Sequence, residues 1–275
     1  MPEKFFATRH SIKPKGEDLP SQKYQGISEK GVELAKERAT ELLADLQQEK
    51  PGTVMLLGAV SNQIRTKSTA EVYGDELKDL VEQKGIIDVM VFDRNDFDTK
   101  EGQNKKVDWL VKQIQDNADK KVMIDFPMFI KEFALNNNTW FTKEGNLTAY
   151  AAKLLEKNNN DEQAALRDWL DNQGQLDNLV GPKPQEIAEK QLQGIKRLSD
   201  FVHKFLPDRE VIIGAVGHSW NLDVLAVYLG NKGKVDVKGY DKLGGQMITE
   251  TQPIKLLTED NKDYLLYGDN KIKLD

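Results

Sequence analysis

Cysteine is absent from the 275 residues, and with it go disulfides, thiolate-bound zinc, iron–sulfur clusters and thiol nucleophiles. Histidine is scarce: His10, His203 and His218 are the three in the chain, so imidazole chemistry has few places to occur. No apolar run approaches the ~20 residues needed to cross a bilayer, so no membrane partner is expected. No apolar leader precedes the first expected strand, and the chain reads as cytoplasmic. An excess of basic charge is also lacking. The 39 Lys and Arg are interspersed with 45 Asp and Glu for a net charge of −6, which argues against a nucleic-acid partner. A small anionic substrate held by a few local arginines remains open. The rest, 39% hydrophobic and 31% charged, is ordinary for a soluble globular enzyme, and the length suits one large α/β domain or a domain with an inserted lobe.

Lys4 to Arg9 is an apolar run too short for a helix and reads as a buried strand that stops at Arg9-His10. Residues 13–24, with Pro14, Gly16 and Pro20, have loop composition, and Lys13 and Lys15 are either solvated or add positive charge at the strand mouth. Ser28 is suited to cap a helix whose inward face is Val32, Ala35, Ala39, Leu42, Leu43 and Leu46. Thr53–Ala59 reads as a second strand, followed by a helix to Gln83 whose start carries Ser61, Asn62 and Arg65. A helix start of this kind either caps itself or holds an anion on its free N–H groups.

Gly85–Phe92 reads as a third strand, after which Asp93, Asp96 and Asp98 form an acidic turn. From about 100 to 181 the pattern changes to polar helices near 107–114, 147–155 and 164–170, interrupted by asparagine triplets at 136–138 and 158–160. Residues 122–129 read equally as strand or loop. The stretch is expected to be an inserted, mostly helical lobe on a single domain spanning 1–275. Pro184 opens a further amphipathic helix, with His203 beside its apolar stripe as a surface or structural histidine. Val211 to Gly217 is a continuous apolar strand ending at His218, and a helix follows. The tail carries strand-like runs at 246–251, 254–257 and 264–267, placed at a sheet edge.

Three expected strands therefore end in chemically capable residues: Arg9-His10, Ser61 to Arg65, and His218. Parallel strands of one sheet present their carboxyl ends on one edge, where ligands of α/β proteins bind. Two guanidinium groups match phosphate oxygens, and a neutral imidazole can attack phosphorus to form a covalent intermediate. No metal or organic cofactor is required by such a set.

At these residues the chain resembles the histidine phosphatase superfamily, also called phosphoglycerate mutase-like. The opening Arg-His-Gly motif corresponds to Thr8-Arg9-His10-Ser11, and the (Leu/Ile)-(Ser/Thr)-x-x-Gly helix start to Ile27-Ser28-Glu29-Lys30-Gly31. The third signature is matched by Ser61, Arg65, Thr69, Ala70 and Glu71, and the last by Gly217-His218-Ser219-Trp220-Asn221-Leu222. The resemblance implies an α/β/α sandwich of three layers around a mostly parallel sheet. It also implies phosphomonoester hydrolysis without metal through a phosphohistidine at His10, on a small phosphorylated substrate. Arg9, Arg65 and His218 would line the phosphate pocket, with Asn62 as a further substrate donor. The family's proton donor follows its third strand, where Asp93 is the first candidate and Asp96 and Asp98 the others. Ser219 in place of Asp argues against the branch that draws its donor from the last motif.

Two motifs depart from the family pattern. Ser11 replaces the usual glycine, where it either narrows the pocket or supplies a hydrogen bond, and Thr66-Lys67-Ser68 replaces Ala-x-Gln. Mutase-type phosphoryl transfer and a phosphate-binding module without turnover are the alternative outcomes of the same residues. Trp140, Phe141 and Trp169 either stack on a substrate ring or form the small core of the lobe.

Overall fold

In a computed structural model, the structure describes residues 4–98, 103–128, 130–133, 140–142 and 146–274, with the side chains at 97, 98, 103 and 104 outside that description. The asparagine triplet at 136–138 and the side chain of Asp98 therefore lie outside the described residues. The chain begins with β1 (Lys4–Arg9), α1 (Glu29–Gln48), β2 (Val54–Ala59), α2 (Ile64–Gln83), β3 (Val89–Phe92) and α3 (Arg94–Asp98). It continues with α4 (Gln103–Asp116), β4 (Lys121–Asp125), α5 (Ala149–Lys157), α6 (Glu162–Asn172) and the small hairpin β5 (Gln175–Leu176) and β6 (Leu179–Val180). Then follow α7 (Pro184–Phe205), β7 (Val211–Gly217), α8 (Ser219–Gly230), α9 (Val237–Lys242), β8 (Pro253–Glu259), β9 (Lys262–Tyr267) and β10 (Asn270–Lys273).

Eight strands form one sheet in the order β10-β9-β8-β1-β7-β2-β4-β3. The run from β1 to β3 is parallel throughout, and β8, β9 and β10 add an antiparallel edge. Strand alternation divides the core in two. Phe6, Met55 and Leu57 face α1 and α2, while Phe5, Ala7, Val54 and Leu56 face the side covered by α7 and α8. β7 and β2 are buried at every residue, as central strands covered on both faces must be. The result is an α/β/α sandwich of three layers around a mostly parallel sheet.

Two starts are set by local chemistry. Ser28 accepts a hydrogen bond from the Gly31 N–H and caps α1, and Pro184 opens α7 where a missing N–H costs nothing.

Three expectations need correction, and one strand was not foreseen. The third strand begins at Val89 rather than Gly85. Gly85 takes a positive φ of 62° and the Ile86 N–H bonds back to the Val81 carbonyl, so these residues close α2, leaving Ile87 85% exposed. The lobe expected from about 100 starts later, because α4 leads into β4, whose buried Val122, Met123 and Ile124 place it inside the main sheet between β2 and β3. Residues 246–251 are not a strand, since their backbone bonds instead to Arg9 and Asp223. The last strand, β10, pairs with β9 across a turn at Gly268, and its polar residues give no alternating signal. The remaining part of the expected lobe, α5, α6 and the β5–β6 hairpin, packs on the α7–α8 side through Tyr150, Leu154, Leu166 and Trp169.

Candidate active site

Register brings the motifs together. Arg9 lies opposite Gly217 in the β1–β7 pair, and Ala59 opposite Val216 in the β2–β7 pair. The three strands thus stop level with one another, and His10, Ser61 and His218 emerge side by side. The His10 N–H bonds to the Gly217 carbonyl at 3.0 Å and the Val60 N–H to the Val216 carbonyl at 3.2 Å, extending the ladder one residue into the site.

Arg65, in the first turn of α2, joins the two imidazoles. Its Nε donates to His10 Nε2 at 2.9 Å and its Nη2 lies 3.3 Å from His218 Nδ1. The network assigns the tautomers. His10 Nδ1 donates to the Ser11 carbonyl at 2.7 Å, which leaves its Nε2 lone pair facing Arg65. His218 accepts from Arg65 at Nδ1 and donates from Nε2 to Ser61 Oγ at 2.9 Å. The ring centroids are 5.3 Å apart. Burial, then the charge of Arg65, pushes the His10 imidazole down to about 3, with Arg9 and Lys13 adding to the effect. The same two leading causes hold His218 well below the ordinary histidine range. Both rings are neutral at neutral pH, the form a phosphorus nucleophile needs.

This has a consequence for stability. As pH falls below 6.5 the unfolded chain binds a proton at His10 that the folded chain refuses until about 3, so folding weakens progressively through that window. The loss from this group amounts to about 2 kcal/mol near pH ~5. Asp223, raised by burial to about 7, slopes the opposite way over part of that range. Comparison of urea unfolding at neutral and acid pH in wild type and His10→Asn isolates the histidine: the variant loses less stability on acidification.

Arg9 is 7% exposed and strongly engaged. Its Nη2 pairs with Glu162 at 3.1 Å and Glu250 at 3.0 Å, and its Nη1 donates to the Ile248 carbonyl at 3.2 Å. The Ile248 N–H in turn bonds to Asp223 Oδ1 at 3.1 Å, which also accepts from the Tyr267 hydroxyl at 2.7 Å. The 246–251 segment is therefore a strap that fixes Arg9, and Ile248 is buried by that role. Arg9 Nε has no partner among the described residues, a buried donor beside the cavity.

These groups line a cavity of about 300 Å³ together with Lys13, Glu162 and the first turn of α8. That turn begins at His218, the N-cap, and offers the free N–H groups of a helix start. Arg9, His10, Arg65 and His218 are thus brought together. Asn62 is exposed and does not line the cavity, and its side chain stands apart from this set.

Asp93 is also elsewhere. It sits at the end of β3, the far edge of the sheet, with β4 between it and β2. Its Oδ1 accepts from the N–H groups of Asn95 and Asp96, capping α3, and its Oδ2 pairs with Lys78 at 2.8 Å. Partial burial pushes its carboxyl upward, but Lys78 and the Asp96 and Asn95 N–H groups outweigh this and hold it below the ordinary range, the wrong direction for a proton donor. Asp96 binds the same Lys78. The acid that does reach the cavity is Glu162. Its sequence signal was faint, since an acidic residue after the capping Asp161 reads as a partner of the helix dipole.

Ser11 neither narrows the cavity nor faces it. It is fully buried, its Oγ donates to the Gly31 carbonyl at 2.6 Å and its N–H bonds to Thr69 Oγ1 at 3.0 Å, so it ties β1 to α1 and α2. Ser11→Ala is expected to cost about 1 kcal/mol in urea unfolding while kcat/KM stays within about twofold.

The structure is similar to that of a mycobacterial glucosyl-3-phosphoglycerate phosphatase, with TM-score 0.47, 14% identity, and 94% of this chain and 91% of that chain covered. It is also similar to the alpha-ribazole phosphatase from Shigella flexneri, with TM-score 0.43, 12% identity and coverage of 99% and 96%. No family model matches the chain, and no curated protein matches it. In the order of its four motifs the chain resembles the histidine phosphatase superfamily.

Proposed function

We propose that the protein is a phosphomonoesterase of the histidine phosphatase superfamily that works without metal and through a phosphohistidine at His10. The observation that carries this reading is the Arg65 bridge between two buried, neutral imidazoles at the carboxyl ends of β1 and β7. A phosphoryl group entering the cavity takes over the Arg65 donors and the unpartnered Arg9 Nε–H, which frees the His10 Nε2 lone pair. Nε2 then bonds to phosphorus as the ester oxygen leaves. Arg9, Arg65 and the α8 N-terminus hold the charge on the remaining phosphoryl oxygens. Water attacks the phosphohistidine, releases inorganic phosphate and restores the free imidazole.

Glu162, which pairs with Arg9 in the free protein, is proposed to pass the proton of the bound ester monoanion to the leaving oxygen and then to take one from the attacking water. The test is leaving-group dependence. Glu162→Gln is expected to lower kcat for alkyl phosphates about a hundredfold and for para-nitrophenyl phosphate, whose leaving group needs no proton, only a few-fold. Equal losses on both would remove Glu162 from that role. The activity itself is tested by hydrolysis of para-nitrophenyl phosphate in the presence of a chelator. Turnover that persists supports the reading. No turnover, with inorganic phosphate still raising the melting temperature, would make the site a phosphate-binding module instead.

A further inference from the structure

The cavity has two unlike halves. Its floor is the phosphate set. Its wall is Trp140, Phe141, Leu147, Ala151, Leu155 and Trp220, all apolar. Trp220 stands two residues after His218 in the first turn of α8, so the aromatic wall starts beside the reacting groups. The wall is held rigidly. Trp140 packs edge-on to Trp220 at 4.9 Å and to Trp169 at 4.7 Å, and Trp169 stacks on Trp220 at 5.8 Å. Trp169 is itself fully buried and its indole N–H donates to the Pro182 carbonyl at 2.6 Å, so it braces the wall without lining it. The two alternatives for the lobe aromatics are thus divided between residues: Trp169 is core, while Trp140 and Phe141 also face the cavity.

Charge points the same way. Among the described lining residues, Lys13 is the one cation outside the phosphate set, and Glu162 contributes a negative charge. Glu162 and Glu250 already answer the charge of Arg9. A substrate carrying a second anionic group beyond its phosphate would meet Glu162 and an apolar wall, with little to offset the cost of removing that group from water.

We infer that the alcohol portion of the substrate is a flat apolar ring system carrying no second anionic group, seated against Trp220 and Trp140 with its phosphate on His10. This rests on the phosphatase reading above. Rigid aromatic walls bind such rings at low entropic cost, and burying a ring favours binding in proportion to its apolar area. The substrates are therefore monophosphate esters of ring-bearing apolar alcohols rather than phosphorylated hydroxy acids or bisphosphates.

The experiment compares three alkyl esters, 2-(naphthyl)ethyl phosphate, glycerol 3-phosphate and 3-phosphoglycerate, so that leaving-group reactivity differs little. The naphthyl ester is expected to exceed glycerol 3-phosphate in kcat/KM about tenfold or more, mostly through KM, with 3-phosphoglycerate poorest. Trp220→Ala narrows the ratio. Leu147→Glu, at a rim position already 41% exposed and outside the packed core, narrows it too by placing a charge where the ring enters. Hydrolysis of all three without preference, or a preference for 3-phosphoglycerate, overturns the inference and leaves the phosphatase reading standing. If none is hydrolysed, calorimetric binding of the same esters separates the two: tighter binding of the naphthyl ester upholds the ligand class while the phosphatase reading fails, and equal binding overturns both.

Discussion

On the proposed reading, His10→Ala is expected to lower phosphatase turnover by about a thousandfold or more, measured as kcat on para-nitrophenyl phosphate. The size follows from what the residue supplies. His10 is the neutral imidazole whose Nε2 faces the Arg65 guanidinium, and its Nδ1–H is fixed on the Ser11 carbonyl so that the ring cannot turn the other nitrogen forward. Water could replace it only as an untethered and weaker nucleophile, with the two-step path lost. Binding should survive, because the Arg9 and Arg65 donors and the α8 N-terminus remain. Inorganic phosphate is therefore expected to raise the melting temperature of the variant and of the wild type alike. A variant that keeps a tenth of its turnover would show that His10 only binds.

Arg65→Lys is the second large effect, about a hundredfold in kcat/KM. Lysine keeps the charge, so the loss reads geometry. The guanidinium reaches His10 Nε2 with Nε and His218 Nδ1 with Nη2, a fork that an ammonium on a single tip cannot span. The inhibition constant for inorganic phosphate should rise less than kcat falls, since ground-state attraction to a cation persists. A loss confined to phosphate affinity, with kcat unchanged, would reduce Arg65 to a counterion.

Much of the site was legible because its parts sit where local rules are strong. β1, β2 and β7 are short apolar runs that stop abruptly, and parallel strands present those stops on one edge. Arg9, His10, Arg65 and His218 could be placed together without knowing any contact. What the sequence withheld was strand order. Asp93 follows a strand in the right position along the chain, but β4 inserts between β2 and β3 and moves that end one strand further from the site. The run that produces β4 includes Pro127 and reads equally as loop. Glu162 was hidden for a related reason, since nothing local says that the start of α6 folds over Arg9. The 246–251 segment shows the converse, a run that reads as a strand although its Ile248 is buried because its backbone bonds Arg9 and Asp223. Trp220 lay in view inside the last motif, but its role depends on Trp140 and Trp169 arriving from a separate part of the chain.

The most direct measurement is to trap the intermediate. Wild-type protein mixed with a phosphomonoester and rapidly quenched in alkali should gain the mass of one phosphoryl group, carried on the peptide that contains His10. The modification should be stable in alkali and lost in mild acid, as a phosphorus–nitrogen bond is, and absent from His10→Ala. Sustained hydrolysis by the wild type with no phosphoenzyme at any quench time, or a phosphoryl group found on a residue other than His10, would contradict the account.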